Sequence, residues 1–204
     1  MADRRTIERR LAMLLAPHGR TFADELAIPL AGGTPKALFR WLVACILYSV
    51  RIDARIATEA AAAMAEVGWT TADALAASDV GDRVAVLDRV HDTRYDERMA
   101  RLLGEAARHV RDRYDGDLGA LRAAAARDPK AELRLLEEIS GLGPTGAKIF
   151  CREAQAPWDE FYPFCDNKAW GAAKALELAR CGLAKDEAGV RAAAQAEAAV
   201  GEGE

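Results

Sequence analysis

The stretch from Ala37 to Val50 constrains the fold most, because it is apolar nearly all the way round. A helix of that kind needs neighbours on every side and belongs at the centre of the molecule. Thr34 and Pro35 precede it, an N-cap followed by a proline at the first helical position, where its missing N–H does no harm. No run alternates with period two for more than a few residues, so no strand is expected to wall this helix. The expected fold class is all-α.

Helix starts and stops recur along the rest of the chain. Asp53 caps a helix over 54–66 that Gly68 closes, Thr71 opens a short one, and 82–90 suggests another. Residues 96–114 form a longer amphipathic helix with Met99, Leu102, Leu103, Ala106 and Val110 on one face. Asp115-Gly116-Asp117 breaks it. A short helix over 118–126 stops at Asp128-Pro129, and 130–139 runs into glycines 141, 143 and 146. The next helix reaches about Gln155. A proline- and aromatic-rich loop covers 157–165, a helix follows over 167–178, and 187–200 reads as a surface helix. No linker divides the chain, so residues 1–204 are expected to form a single helical domain.

Residues that are 51% hydrophobic supply a core, and only 6% aromatics amid abundant alanine favour close helix contacts. No apolar run approaches the roughly 20 residues of a membrane span, and the start carries Arg4, Arg5, Arg9 and Arg10. The expectation is a soluble, cytoplasmic monomer with no membrane partner. Cys45 and Cys151 lie in apolar runs and read as small hydrophobes. Four cysteines without a C-x-x-C pair, and only His18, His91 and His109, predict no metal site. The net charge of -4 gives a nucleic-acid partner no support by itself. A local patch can suffice, since only groups near phosphates set affinity, and the acidic tail at 201–204 adds to the total from outside any such patch.

The segment with the most chemistry runs over 136–155 and reads as a helix-hairpin-helix unit. Ile139 and Leu142 can anchor a tight turn to the core. Gly141 and Gly143 allow positive φ and a close backbone approach, and Pro144 suits the first turn of the following helix. The remaining amides, with the helix dipole behind them, suit a phosphate. Gly141, Leu142, Gly143, Thr145, Gly146 and Lys148 are the candidate backbone-binding residues, in contacts that position a protein on DNA without reading sequence. A glycine turn joining two packed helices is the bland alternative.

With this hairpin, the chain resembles the helix-hairpin-helix DNA glycosylase superfamily, which includes endonuclease III and the adenine and 3-methyladenine glycosylases. The likeness runs over about 37–178. It includes Phe164-Cys165-Asp166-Asn167-Lys168, where Asp166 opens a helix 25 residues after Gly141, slightly beyond the family's usual spacing. The helix and turn ending at Asp53 look like those that enter the DNA stack, and Arg94-Tyr95-Asp96-Glu97 sits where the family starts a long helix. The resemblance implies a two-lobed helical HhH-GPD fold, double-stranded DNA as partner in a nucleoid-associated protein, and base excision at Asp166. A fixed carboxylate stabilises the positive sugar formed as the N-glycosidic bond breaks and can help water attack, once the base has left the stack. Asp166 is equally well explained as an N-cap, and Asp159 is the rival carboxylate.

Three departures narrow the reading. Thr145 stands where strand-nicking members carry a Schiff-base lysine, so a monofunctional hydrolase is expected; Lys148, one turn on, reads as a phosphate contact. The four-cysteine iron–sulfur motif is missing and Cys181 alone cannot replace it, so no cluster is expected. A monovalent cation at the hairpin carbonyls is the one ion the resemblance admits. The third departure is the net acidity. Tyr48, Val50 and Arg51 are wedge candidates, with a solvated role equally open for Arg51. Trp158, Phe161 and Tyr162 could stack on a flipped base or form a small core beside the prolines. The basic start, with Arg108, Arg111 and Arg113, faces solvent or phosphates. The alternative function is a helix-hairpin-helix DNA-binding protein without catalysis.

Overall fold

The computed structural model describes residues 4–90 and 97–175. Every regular element among them is helical. In order they are α1 (Arg4–His18), α2 (Phe22–Glu25), α3 (Pro35–Tyr48), α4 (Ala54–Glu66), α5 (Ala72–Ala77) and α6 (Val80–Asp88). Then follow α7 (Glu97–Tyr114), α8 (Leu118–Ala124), α9 (Pro129–Glu137), α10 (Gly143–Ala154) and α11 (Asn167–Ala175). Single 3-10 turns occur at Leu30–Gly32 and Asp159–Phe161. None of the described helices is long and apolar enough to cross a membrane. The chain divides into two compact units, Phe22–Glu160 on the one hand and Met1–Thr21 with Phe161–Glu204 on the other.

In the Phe22–Glu160 unit α3 is the central helix, as its all-round apolarity requires. Trp41, Leu42, Ala44, Cys45, Ile46 and Leu47 have no exposed surface, and α4, α8 and α10 pack around it. The Thr34 hydroxyl accepts from the Ala37 amide at 3.2 Å with Pro35 at the first position. Asp53 caps α4 through the Arg55 amide at 2.8 Å. Gly68, at φ +89, closes α4 with its amide donating to the Ala65 carbonyl. Helix α6 begins at Val80 rather than Asp82 because Asp79 takes the cap, accepting from the Gly81 amide at 2.7 Å. Helix α8 stops at Ala124 because Ala126 and Arg127 turn left-handed, and Asp128 then caps α9 instead of ending a helix.

Helix α7 packs against α5 and α6. Met99, Leu103, Ala106 and Val110 are buried as its periodicity predicts, and Leu102 is half-buried. Gly104, a weak helix former, is there for a neighbour: a Cβ at 104 would lie 2.6 Å from the Arg83 guanidinium. Arg83 is buried with no ion pair among the described residues and is satisfied by carbonyls, Nε donating to Ala100 and Nη1 to Ser78, both at 2.7 Å.

In the other unit, α1 is a helix where the sequence shows only a charged run. Its Met13 and Leu15 are exposed. Helix α11 matches the start of the helix expected from 167. Residues 91–96 and 176–204 lie outside the described residues, and with them Arg94 to Asp96, Cys181, the end of the 167–178 helix and the whole 187–200 helix.

Candidate nucleic-acid interface

Helices α9 and α10 pack against each other as the two arms of a hairpin. The turn between them is pinned from inside: Ile139 and Leu142 are each 1% exposed, and the Leu142 amide donates to the Ile139 carbonyl at 3.1 Å. Two residues of the turn have left-handed backbone, Gly141 at φ +81 and Gly143 at φ +53. Their surroundings differ. A Cβ on Gly141 would meet Ile46 of α3 at 3.2 Å and Leu102 of α7 at 3.3 Å, whereas one on Gly143 would meet nothing within 4 Å. Gly141 therefore lets the turn press onto the core, and Gly143 leaves the backbone bare where it faces outward.

The start of α10 has the donors an anion requires. Leu142 occupies the N-cap position without a side-chain cap, and Pro144 has no N–H to offer. Among the described residues no acceptor is found for the amides of Gly143 and Thr145. Thr145 and Lys148 are exposed, and Lys148 has no ion-pair partner among the described residues. Unpaired amides at the positive end of a helix, with a nearby ammonium, form a favourable setting for phosphate.

Two of the six expected backbone-binding residues serve the turn instead. Leu142 is buried with its amide used. Gly146 is buried, its amide donates to the Leu142 carbonyl at 3.0 Å, and a Cβ there would lie 2.9 Å from Leu142 Cδ1 and 3.4 Å from the Cys45 carbonyl oxygen. Gly146 thus sets how closely α10 approaches α3. Trp41 fastens the same crossing, its indole Nε1 donating to the Phe150 carbonyl at 3.0 Å. Cys45 and Cys151 fill it as buried thiols, in keeping with their reading as small hydrophobes.

The wedge and pocket candidates separate in the same way. Ser49 Oγ lies 3.4 Å from the Gly141 carbonyl oxygen, so the end of α3 adjoins the hairpin turn. Beyond it Val50 is half-buried while Arg51 and Ile52 are exposed. Ile52, an apolar side chain at this edge, was not among the candidates, although its place between Arg51 and the Asp53 cap marked it as a turn residue. Tyr48 is engaged in packing: its ring lies 4.6 Å from that of Phe22, and its hydroxyl is 2.8 Å from Thr58 Oγ1. Burial pushes its phenol up to about 12. Trp158 is 2% exposed, packs edge-on against Phe150 at 5.5 Å and lies under the Arg122 guanidinium, so it offers a flipped base no surface. The small-core alternative describes it. Asp159 is held by Arg122 at 2.9 Å and by Arg127, which accounts for that carboxylate without chemistry.

Asp166 and Tyr162 belong to the other unit. Asp166 is half-buried and caps α11: its Oδ1 accepts from the Ala169 amide at 2.9 Å, and its carbonyl accepts from the Trp170 amide at 2.9 Å. Tyr162 is 56% exposed and precedes a cis proline, Pro163. Phe161 is buried and Phe164 packs on it edge-on at 6.2 Å. Comparison with family models, with curated proteins and with solved structures finds no match.

Proposed function

We propose that this protein holds double-stranded DNA through the α9–α10 hairpin and excises a damaged or mismatched base as a monofunctional N-glycosylase. The observation that carries the reading is the bare left-handed Gly143 beside unpaired amides at the head of α10, with Lys148 exposed one turn on. Gly141, Gly143, Thr145 and Lys148 are the phosphate contacts on this reading. Arg51 and Ile52, exposed just after Ser49, which adjoins the Gly141 carbonyl, serve on this reading as a cation for the opposite strand and an apolar wedge. Asp166 stabilises the oxocarbenium-like sugar as the base departs. Thr145 cannot form a Schiff base, so hydrolysis is the chemistry and borohydride should trap no adduct. The protein acts on this reading as a monomer at the nucleoid, with no iron–sulfur cluster, and the hairpin carbonyls are where a monovalent cation would bind.

One observation favours a second reading, a DNA-binding protein without catalysis: capping α11 already accounts for an aspartate at 166. Asp166→Asn separates the two, because asparagine caps a helix about as well as aspartate but carries no charge. The assay measures base release from duplexes carrying oxidised, alkylated, deaminated or mismatched bases, alongside DNA affinity at several salt concentrations. The glycosylase reading expects one such base to be released, and the asparagine variant to release it about 10²-fold or more slowly with affinity unchanged. Salt-dependent binding with no release from any duplex would establish the second reading. Affinity that ignores salt would remove both.

A further inference from the structure

The first hairpin helix contains a buried acid that no reading above uses. Glu132 of α9 has no exposed surface, and among the described residues no donor reaches either of its carboxyl oxygens. The groups around it are mostly negative. Glu160 lies beside it, Asp128 caps the same helix one turn earlier, and Cys151 of α10 faces it as a neutral thiol that burial keeps protonated. Among the described residues the cation that acts on Glu132 is Arg122 of α8, and its fork is already taken. Arg122 Nε donates to Glu160 Oε1 at 2.6 Å and Nη2 to Glu160 Oε2 at 2.5 Å, while Nη2 also reaches Asp159 at 2.9 Å. Arg127 pairs with Asp159 farther out and stands 3.6 Å from Glu160. A buried carboxylate facing another carboxylate, with no donor of its own, is strongly unfavourable. As a neutral acid, Glu132 can donate its proton to Glu160, and the cluster closes.

We propose that Glu132 and Glu160 share one proton, and that this proton latches the first hairpin helix to Arg122 of α8 and to residues 159–160, so that the hairpin loosens in alkaline solution. The latch acts on the hairpin's stability, whether or not the hairpin binds DNA. The titration directions agree with the geometry. Burial first, and then the adjoining Glu160, push Glu132 up to about 8 from an ordinary 4.5. Burial also works to raise Glu160, but the Arg122 guanidinium and the Glu132 carboxyl hold it down to about 2. The folded pair therefore keeps one proton between about 2 and 8, while the unfolded chain holds two below 4.5 and none above. The pair's contribution to stability rises with pH from about 2 to 4.5, falls from 4.5 to about 8 and is level beyond.

Glu132→Gln tests this, since glutamine copies the shape of the neutral acid and donates to Glu160 at every pH. Unfolding by urea, followed at pH 5, 6.5, 8 and 9, should show the unfolding constant of the unsubstituted protein growing relative to that of the variant. The growth should approach tenfold per pH unit, as one proton demands, and stop above about 8. Amide exchange in α9, corrected for its intrinsic pH dependence, should accelerate at pH 9 in the unsubstituted protein but not in the variant. The carboxyl carbon resonance of Glu132 in the unsubstituted protein decides the matter if the variant fails to fold. Titration near 8 supports the shared proton, and titration among the exposed carboxylates, or parallel pH profiles for the two proteins, overturns it.

Discussion

Trp41→Ala is expected to lower the stability of the Phe22–Glu160 unit by about 3–5 kcal/mol, the range for truncating a large buried aromatic. Trp41 has no exposed surface at the middle of α3 and is among the largest side chains enclosed by the core. Its removal opens a cavity in a helix packed on several sides, where the surroundings can relax only partly. It also deletes the indole donor to the Phe150 carbonyl, the hydrogen bond joining α3 to the second hairpin helix. Trp41→Phe separates the two effects, because it keeps most of the volume and loses the donor, at a cost nearer 1 kcal/mol. Urea unfolding followed by near-ultraviolet circular dichroism measures both. A loss below about 1 kcal/mol for the alanine variant, far under the usual range, would mean that α3 is not the centre of the core.

The second large effect is functional. Gly143→Glu should weaken DNA binding by at least tenfold relative to Gly143→Ala, about 1.4 kcal/mol. The alanine variant is the proper reference because a Cβ at 143 meets open space. Its only penalty is the left-handed backbone at φ +53, about 1–2 kcal/mol of stability. The glutamate variant shares that strain and adds a carboxylate beside the unpaired amides of Gly143 and Thr145, where a phosphate would otherwise sit. Gly141→Ala provides the contrast: it should cost more stability than Gly143→Ala, because its Cβ presses on Ile46 and Leu102 as well as straining the backbone. Equal DNA affinity for the alanine and glutamate variants at 143 would remove the hairpin from the interface.

What could be read from the sequence was what local chemistry decides. Thr34-Pro35, Asp53, Gly68 and Thr71 act within three or four residues of themselves, and each marks a helix end where it was expected. The pinned turn at Ile139 and Leu142 was legible for the same reason, as was the burial of α3. What depends on distant partners was not legible. Gly146 has the same spacing whether it faces a phosphate or the Cys45 carbonyl of another helix. Trp158 in a proline loop gives no sign that Phe150 and Arg122 will enclose it. The acidic cluster did leave a trace: Glu132, Leu136 and Ile139 fall on one face at helical spacing, and an acid in phase with two core residues is a buried acid. Helix α1 was missed because its arginines obscure any apolar stripe.

The pinning of Gly141 and Gly146 also limits how portable this hairpin is. The surface that holds the turn is contributed by Ile46 and Cys45 of α3 and Leu102 of α7, chain segments about 40 to 100 residues away in sequence. A graft of the α9–α10 segment into another scaffold would therefore carry the glycines without the mould that bends them. Packing leaves positions 145 and 148 unconstrained, so that only ligand contact would hold them, while 141 and 146 change only in step with their distant neighbours.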